Sequence, residues 1–116
     1  MAQQVQVSDL LRNIYVTLIR HGRTADNEAH VWAGHKDSPL TAPGLTQAEA
    51  LGRSFARIPI DAIYSSDLKR ASTTAHVLLE ANTTIPPPPL VQTQSLREQY
   101  FGQAEGKNWD EPGQLI

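Results

Sequence analysis

Hydrophobic and polar positions along this chain fall into blocks, and the blocks predict an order of elements. Residues 1–12 are mostly polar and read as a flexible lead-in. Ile14-Tyr15-Val16-Thr17-Leu18-Ile19 is β-branched and nearly all apolar, the pattern of a strand covered on both faces within an α/β sheet. The run breaks off at Arg20-His21-Gly22-Arg23. From Ala25 to Pro43 no helical or strand period holds, so this stretch reads as a long loop, a length that usually carries function. Thr41 to Arg57 has Leu45, Ala48, Gly52, Phe55 and Ala56 on one face at helical spacing, with Pro43 in the first turn, where its missing N–H costs nothing. Ile60–Tyr64 reads as a short strand after Pro59. Ser65-Ser66-Asp67 offers capping oxygens to a second helix, Leu68 to about Ala81, whose face is Leu68, Ala71, Ala75, Leu78 and Leu79. Pro86 to Pro89 force an extended segment, Leu90–Thr93 follows as a strand, and a further element begins near Trp109. The order strand, loop, helix, strand, helix, strand predicts an α/β layered sheet.

Composition narrows the class without changing this picture. A chain of 116 residues is long enough for one modest domain and too short for two. A net charge of −2 gives no basic footprint, which argues against nucleic acid or an anionic membrane as partner. No apolar run approaches membrane-spanning length, and the first residues lack a basic-then-apolar leader pattern. With no cysteine, disulfide scaffolds, thiolate zinc sites and cysteine nucleophiles are excluded, and a reducing cytoplasm is the default location. Oligomeric state is left open.

The sharpest chemical feature is Arg20-His21 directly after the predicted strand. Ligands bind at strand C-termini in open α/β sheets. Histidine can act as a covalent nucleophile, and arginine offers paired planar donors to phosphate oxygens. Gly22 would let the backbone approach a ligand closely. Taken alone, the pair also fits a polar cap on a strand end. The four histidines show no compact ligand spacing, so neither a metal nor a cofactor is expected. His30 and His35 read as solvated loop residues, with contact to substrate as the alternative, and His76 as an exposed helix residue. Tyr100, Phe101 and Trp109 read as packing residues.

Four segments, in order, give these residues a common meaning. Leu18-Ile19-Arg20-His21-Gly22-Arg23-Thr24 followed by Asn27 resembles the signature of the phosphoglycerate mutase-like, or histidine phosphatase, superfamily. Ser38-Pro39-Leu40-Thr41-Ala42-Pro43-Gly44-Leu45-Thr46-Gln47-Ala48 resembles that family's helix-start segment, and Ser65-Ser66-Asp67-Leu68-Lys69-Arg70-Ala71 with Thr74-Ala75 its second arginine motif. Leu96-Arg97-Glu98 with Gly102 and Glu105-Gly106 resembles its acid motif. The resemblance implies a three-layer α/β/α fold. It makes His21 the phosphoryl acceptor and Glu98 the general acid, in a water-excluded pocket that would keep its carboxyl protonated. Arg20, Arg70, Asn27 and Thr24 would bind the phosphate, and no metal is implied. Arg97 is expected to pair structurally.

The family's second catalytic histidine, in a Ser-His-Gly-like segment, has no counterpart after Glu98. The resemblance therefore implies that residues 1–116 are the N-terminal part of a single domain whose C-terminal half is absent, with weak or no turnover. The implied activity is hydrolysis of a small phosphorylated metabolite. The segment after Glu98, and Arg23 where glycolytic mutases usually carry glutamate, favour a phosphatase. The alternatives are mutase-type phosphoryl transfer and a non-catalytic phosphate-binding or interaction protein.

Overall fold

The structure is a computed structural model that describes residues 2–8 and 13–110. Residues 9–12, part of the expected lead-in, and most of the element expected from Trp109 onward lie outside the described residues.

The apolar run after Asn13 forms a strand, as its composition dictates, but its surroundings differ from the expectation. Strand β2 (Asn13–Ile19) pairs antiparallel with β1 (Ala2–Ser8), in a register running from Ala2 opposite Ile19 to Ser8 opposite Asn13. Residues 2–8 of the expected lead-in thus form a strand. Val5 and Val7 alternate with Gln4 and Gln6 at a period of two, and the edge of β2 supplies the hydrogen-bonding partner such a segment needs. Nor is β2 covered on both faces: Tyr15 is 61% and Leu18 55% exposed, with Ile14 and Val16 also exposed. Its one sheet partner among the described residues is β1, and most of its side chains stay exposed. The radius of gyration reflects this, at 16.1 Å against about 13 Å for a compact chain of this length.

The remaining elements form the packed part. After a one-turn helix α1 (Ala25–Glu28), which interrupts the expected loop, comes α2 (Ala42–Phe55), then β3 (Ile63–Ser66), α3 (Lys69–Ala81) and β4 (Leu90–Thr93). Strand β3 begins three residues later than Ile60, because its pairing partner is β4, parallel, from Ile63 opposite Leu90 to Ser66 opposite Thr93. Helix α3 is the crossover between them, the usual connection for parallel neighbours. Helices α2 and α3 pack on each other around Ala48, Leu68, Ala75 and Leu78. Thr41 caps α2 by accepting from the Gly44 N–H at 3.1 Å. The cap of α3 is long-range. Leu68 occupies the cap position without a side-chain bond, and Asp37 accepts from the Lys69 N–H at 2.8 Å. Of the expected local caps only Ser66 contributes, accepting from Leu68 N–H, whereas Asp67 is engaged elsewhere. The buried face of α3 includes Arg70 and Thr74 beside its apolar residues. That places polar chemistry on the inner side of the helix.

Candidate phosphoryl-transfer site

The turn Arg20-His21-Gly22-Arg23 leaves β2 and is tied to both long helices. Gly22 N–H donates to Thr74 Oγ1 at 3.1 Å, on α3. Arg23 N–H donates to Gln47 Oε1 at 3.0 Å, on α2. The Arg23 carbonyl accepts from the backbone N–H of Thr41 at 2.9 Å and from its hydroxyl at 3.2 Å. Gly22 and Gly44 meet backbone to backbone: a Cβ at Gly22 would lie 2.4 Å from the Gly44 carbonyl oxygen. The close approach that Gly22 permits is therefore to α2 and not to a ligand.

His21 is half-buried, and its Nδ1 lies 2.7 Å from the Gly22 carbonyl oxygen. Since a carbonyl only accepts, Nδ1 carries the proton and donates. In the neutral ring the lone pair is then on Nε2. Burial lowers the His21 pKa from its ordinary 6.5; the bond to Gly22 opposes this, the charges of Arg70 and Arg20 add to it, and Glu98 opposes. The site thus keeps its imidazole unprotonated, the form a nucleophile needs. Between the lowered pKa and 6.5 the unfolded chain binds more protons than the folded one, so the contribution to stability is complete above 6.5 and is lost as pH falls through the lowered value. Urea unfolding at about pH 5 and about pH 7.5 is expected to show a smaller stability difference for His21→Gln than for the native chain. An unchanged difference would place the titration elsewhere.

Arg70, in the first turn of α3, is 4% exposed. Its Nη1 donates to the Lys36 carbonyl at 2.8 Å and its Nη2 to that of Gly34 at 2.6 Å, leaving Nε and the other Nη hydrogens for a ligand. The same side chain holds the 25–40 segment onto α3. Arg70→Ala leaves two carbonyls without their charged donor and is expected to cost about 3 kcal/mol of stability, read as a fall in the urea midpoint. A loss below about 1 kcal/mol would mean that water replaces it freely.

Arg20 is exposed and lines a shallow hollow of about 200 Å³ together with His21, Arg23, Asn27 and Gln47. A larger, more open hollow of about 480 Å³ on the other side of Arg20 is bordered by Ala2, Gln3, Leu18 and Ile19, which bring no acid, base or nucleophile. Asn27 reaches the first hollow from α1. Its Oδ1 accepts from Thr24 N–H at 2.9 Å while its own N–H donates to Thr24 Oγ1 at 3.1 Å, a reciprocal capping box. Thr24, expected to bind phosphate, is fully buried at 0% exposure and its side chain serves as the cap of α1.

Glu98 is exposed, its Oε1 accepting from the Gln99 N–H at 2.8 Å. Its charge reaches His21, but among the described residues no water-excluding wall surrounds it, where a water-excluded pocket was expected. Two contacts fix its backbone. His35 Nε2 lies 3.0 Å from the Glu98 carbonyl, and Arg97 Nε and Nη2 each donate to Asp67 at 2.7 Å in a two-pronged pair. That pair lowers the pKa of Asp67, Arg97 being the main cause. His35 also meets the Tyr100 ring at 5.1 Å, and its backbone N–H donates to Glu105 Oε1 at 2.7 Å. His30 stacks on Trp109 at 5.2 Å and bonds to Asp110. Both loop histidines are thus tethers and not merely solvated. Tyr100, expected to pack, is 65% exposed, while Phe101 does pack, on Trp32 at 4.7 Å. His76 is exposed, as its helical position predicts.

His21, Arg20 and Asn27 therefore share one hollow, Arg70 and Glu98 act on it by charge, and Thr24 stands behind it. Gln47, Thr74 and the Gly22–Gly44 contact, which position the turn, were not assigned by sequence reasoning. Among the described residues no group of three or more His, Cys, Asp or Glu is arranged to hold a metal, and no helix is long and apolar enough to cross a membrane.

The profile of the histidine phosphatase superfamily (branch 1) matches residues 16–115. The chain belongs to this superfamily. It is 36% identical over 93 residues to the fructose-2,6-bisphosphatase TIGAR of Xenopus tropicalis, covering 79% of this chain and 34% of that protein. Among solved structures it superposes on YhfR of Bacillus stearothermophilus with a TM-score of 0.73 at 37% identity, covering 82% of this chain and 45% of the other. The phosphoglycerate mutase of Bacillus anthracis gives 0.72 at 38%, covering 78% and 39%. The fold is accordingly the phosphoglycerate mutase-like α/β fold in part, and the chain spans less than half the length of these histidine phosphatase relatives.

Proposed function

We propose that the chain is a phosphomonoesterase that acts on a small phosphorylated metabolite through a phosphohistidine at His21. The observation that carries this reading is the Nδ1–H bond from His21 to the Gly22 carbonyl, which leaves Nε2 unprotonated in a hollow shared with Arg20 and Asn27. In the first step Nε2 attacks phosphorus and the bond from phosphorus to the ester oxygen breaks. The Glu98 carboxyl gives its proton to that oxygen. In the second, water attacks the phosphohistidine, Glu98 takes a proton from it, and inorganic phosphate leaves with Nε2 restored. Arg20, Arg70 and Asn27 hold the three phosphoryl oxygens, so that positioning and charge neutralisation do most of the work.

Turnover is proposed to be slow, because the hollow holds a single histidine and Glu98 stands in water. A cytoplasmic location accords with a chain that has no cysteine. The exposure of Glu98 favours a second reading, phosphate binding without turnover. Incubation with p-nitrophenyl phosphate separates the two. Release of p-nitrophenol together with an acid-labile phosphoryl group on the His21 peptide, located by mass spectrometry, is the expected result. Binding of the ester with neither product would leave the second reading standing and remove the first.

A further inference from the structure

One arginine in the hollow has no part in the chemistry just described. The Arg23 backbone is fixed by its bonds to Gln47 and Thr41 and by the contact with Gly44. Its side chain is exposed, lines the hollow beside His21, Arg20, Asn27 and Gln47, and makes no hydrogen bond or ion pair with any described residue. A guanidinium with no protein partner has all its planar, paired donors available to an anion.

Arg23 shares the hollow's lining with Arg20, His21 and Asn27, while the charges acting on His21 are those of Arg70, Arg20 and Glu98. The charge balance points the same way. When Glu98 is protonated to serve the leaving oxygen, three guanidiniums, of Arg20, Arg23 and Arg70, face a phosphoryl dianion, and one positive charge is left uncompensated. The substrate itself can supply the missing negative charge.

We propose that Arg23 is a specificity-determining residue that receives a second anionic group, a carboxylate or a second phosphate, carried by the substrate close to its phosphoryl ester. This rests on the reading of the hollow as a phosphoryl site. A substrate of this class binds with its ester on Arg20, Arg70 and Asn27 and its second anion on Arg23, so the ester oxygen is oriented between His21 and Glu98. A neutral alcohol phosphate uses the inner groups alone.

The test is an NMR titration of the native chain and of Arg23→Ala, at one ionic strength because exposed pairs are screened by salt. The probes are ethyl phosphate, 2-phosphoglycolate and ethane-1,2-diol bisphosphate. Arg23→Ala is expected to weaken one or both of the last two by about fivefold and to leave ethyl phosphate unchanged. Arg23→Lys keeps part of the preference, and Arg23→Glu turns it into discrimination against them. Which of the two probes responds identifies the second anion. Equal weakening of all three probes, or of none, overturns the proposal while leaving the phosphoryl site in place. If the native chain fails to bind ethyl phosphate, the phosphoryl-site reading falls, and this proposal with it. Circular dichroism of each variant confirms that an exposed, unpartnered side chain has been exchanged without loss of fold.

Discussion

Gly44→Ala is expected to unseat the nucleophile turn and to lower stability by about 3 kcal/mol or more, a fall in Tm of about 10 °C. The sign makes the prediction decisive. Gly44 lies in the first turn of α2, and at an unconstrained helical position the same change stabilises by about 0.8–1.0 kcal/mol. Here the added Cβ would sit 2.0 Å from the Arg23 carbonyl oxygen and 2.8 Å from its nitrogen. Both are backbone atoms fixed by Thr41 and Gln47, so neither can swing away as a long side chain would. Arg23 is two residues from His21, and a displacement of about 1 Å at the reacting group costs about a hundredfold in rate. Thermal unfolding and p-nitrophenyl phosphate turnover are therefore expected to fall together. A variant as stable as the native chain, or more stable, would show that the turn and α2 do not meet in solution.

This glycine pair marks where the sequence was legible and where it was not. Helices α2 and α3 and strand β4 follow from periodicity and punctuation. Their apolar spacing, Pro43 and the proline run are local signals, and the structure places β4 at Leu90–Thr93 as read. Strand β2 is equally local as a strand, but its burial depends on which segments lie beside it. A run such as Ile14–Ile19 records a preference for cover without saying what provides it. The lead-in failed for a related reason, since a polar segment with alternating valines becomes a strand only when a neighbouring edge accepts it.

At the site the motif residues were legible and their supports were not. Arg20, His21 and Asn27 reach one hollow because they belong to one turn and the short helix after it. Thr24 is a case in point: a threonine followed three residues later by an amide satisfies a capping box and a phosphate cradle equally well on paper, and the structure shows the capping box and the burial of the side chain. Asp37 on the Lys69 N–H, His35 on the Glu98 carbonyl and Arg70 on the Gly34 and Lys36 carbonyls join positions more than thirty apart in sequence. Such bonds leave no periodic trace. Gly34 was the one available signal: its φ of 55° and a would-be Cβ 2.3 Å from Glu105 Oε1 require glycine there.

His21→Ala is expected to abolish the phosphoryl-enzyme and to lower turnover of p-nitrophenyl phosphate by at least about a thousandfold. The group lost is, among the described residues that line the hollow, the one whose ring carries an unprotonated nitrogen, and neither Arg20 nor Asn27 can take its place. Stability should change little, because the ring is half-buried and makes one bond, to its neighbour's carbonyl; the expected cost is about 1 kcal/mol or less. Phosphate binding should survive, because Arg20, Arg70 and Asn27 remain. Those three readouts together separate a nucleophile from a structural histidine. Loss of phosphate binding in proportion to turnover would make His21 part of the anion cradle, and loss of the fold would make it a packing residue. Turnover equal to that of the native chain would remove the phosphohistidine from the mechanism altogether. Loss of turnover with fold and binding intact leaves His21 Nε2 as the atom that takes the phosphoryl group, its tautomer fixed by a single carbonyl and its ring kept unprotonated by burial in the turn and by two arginines.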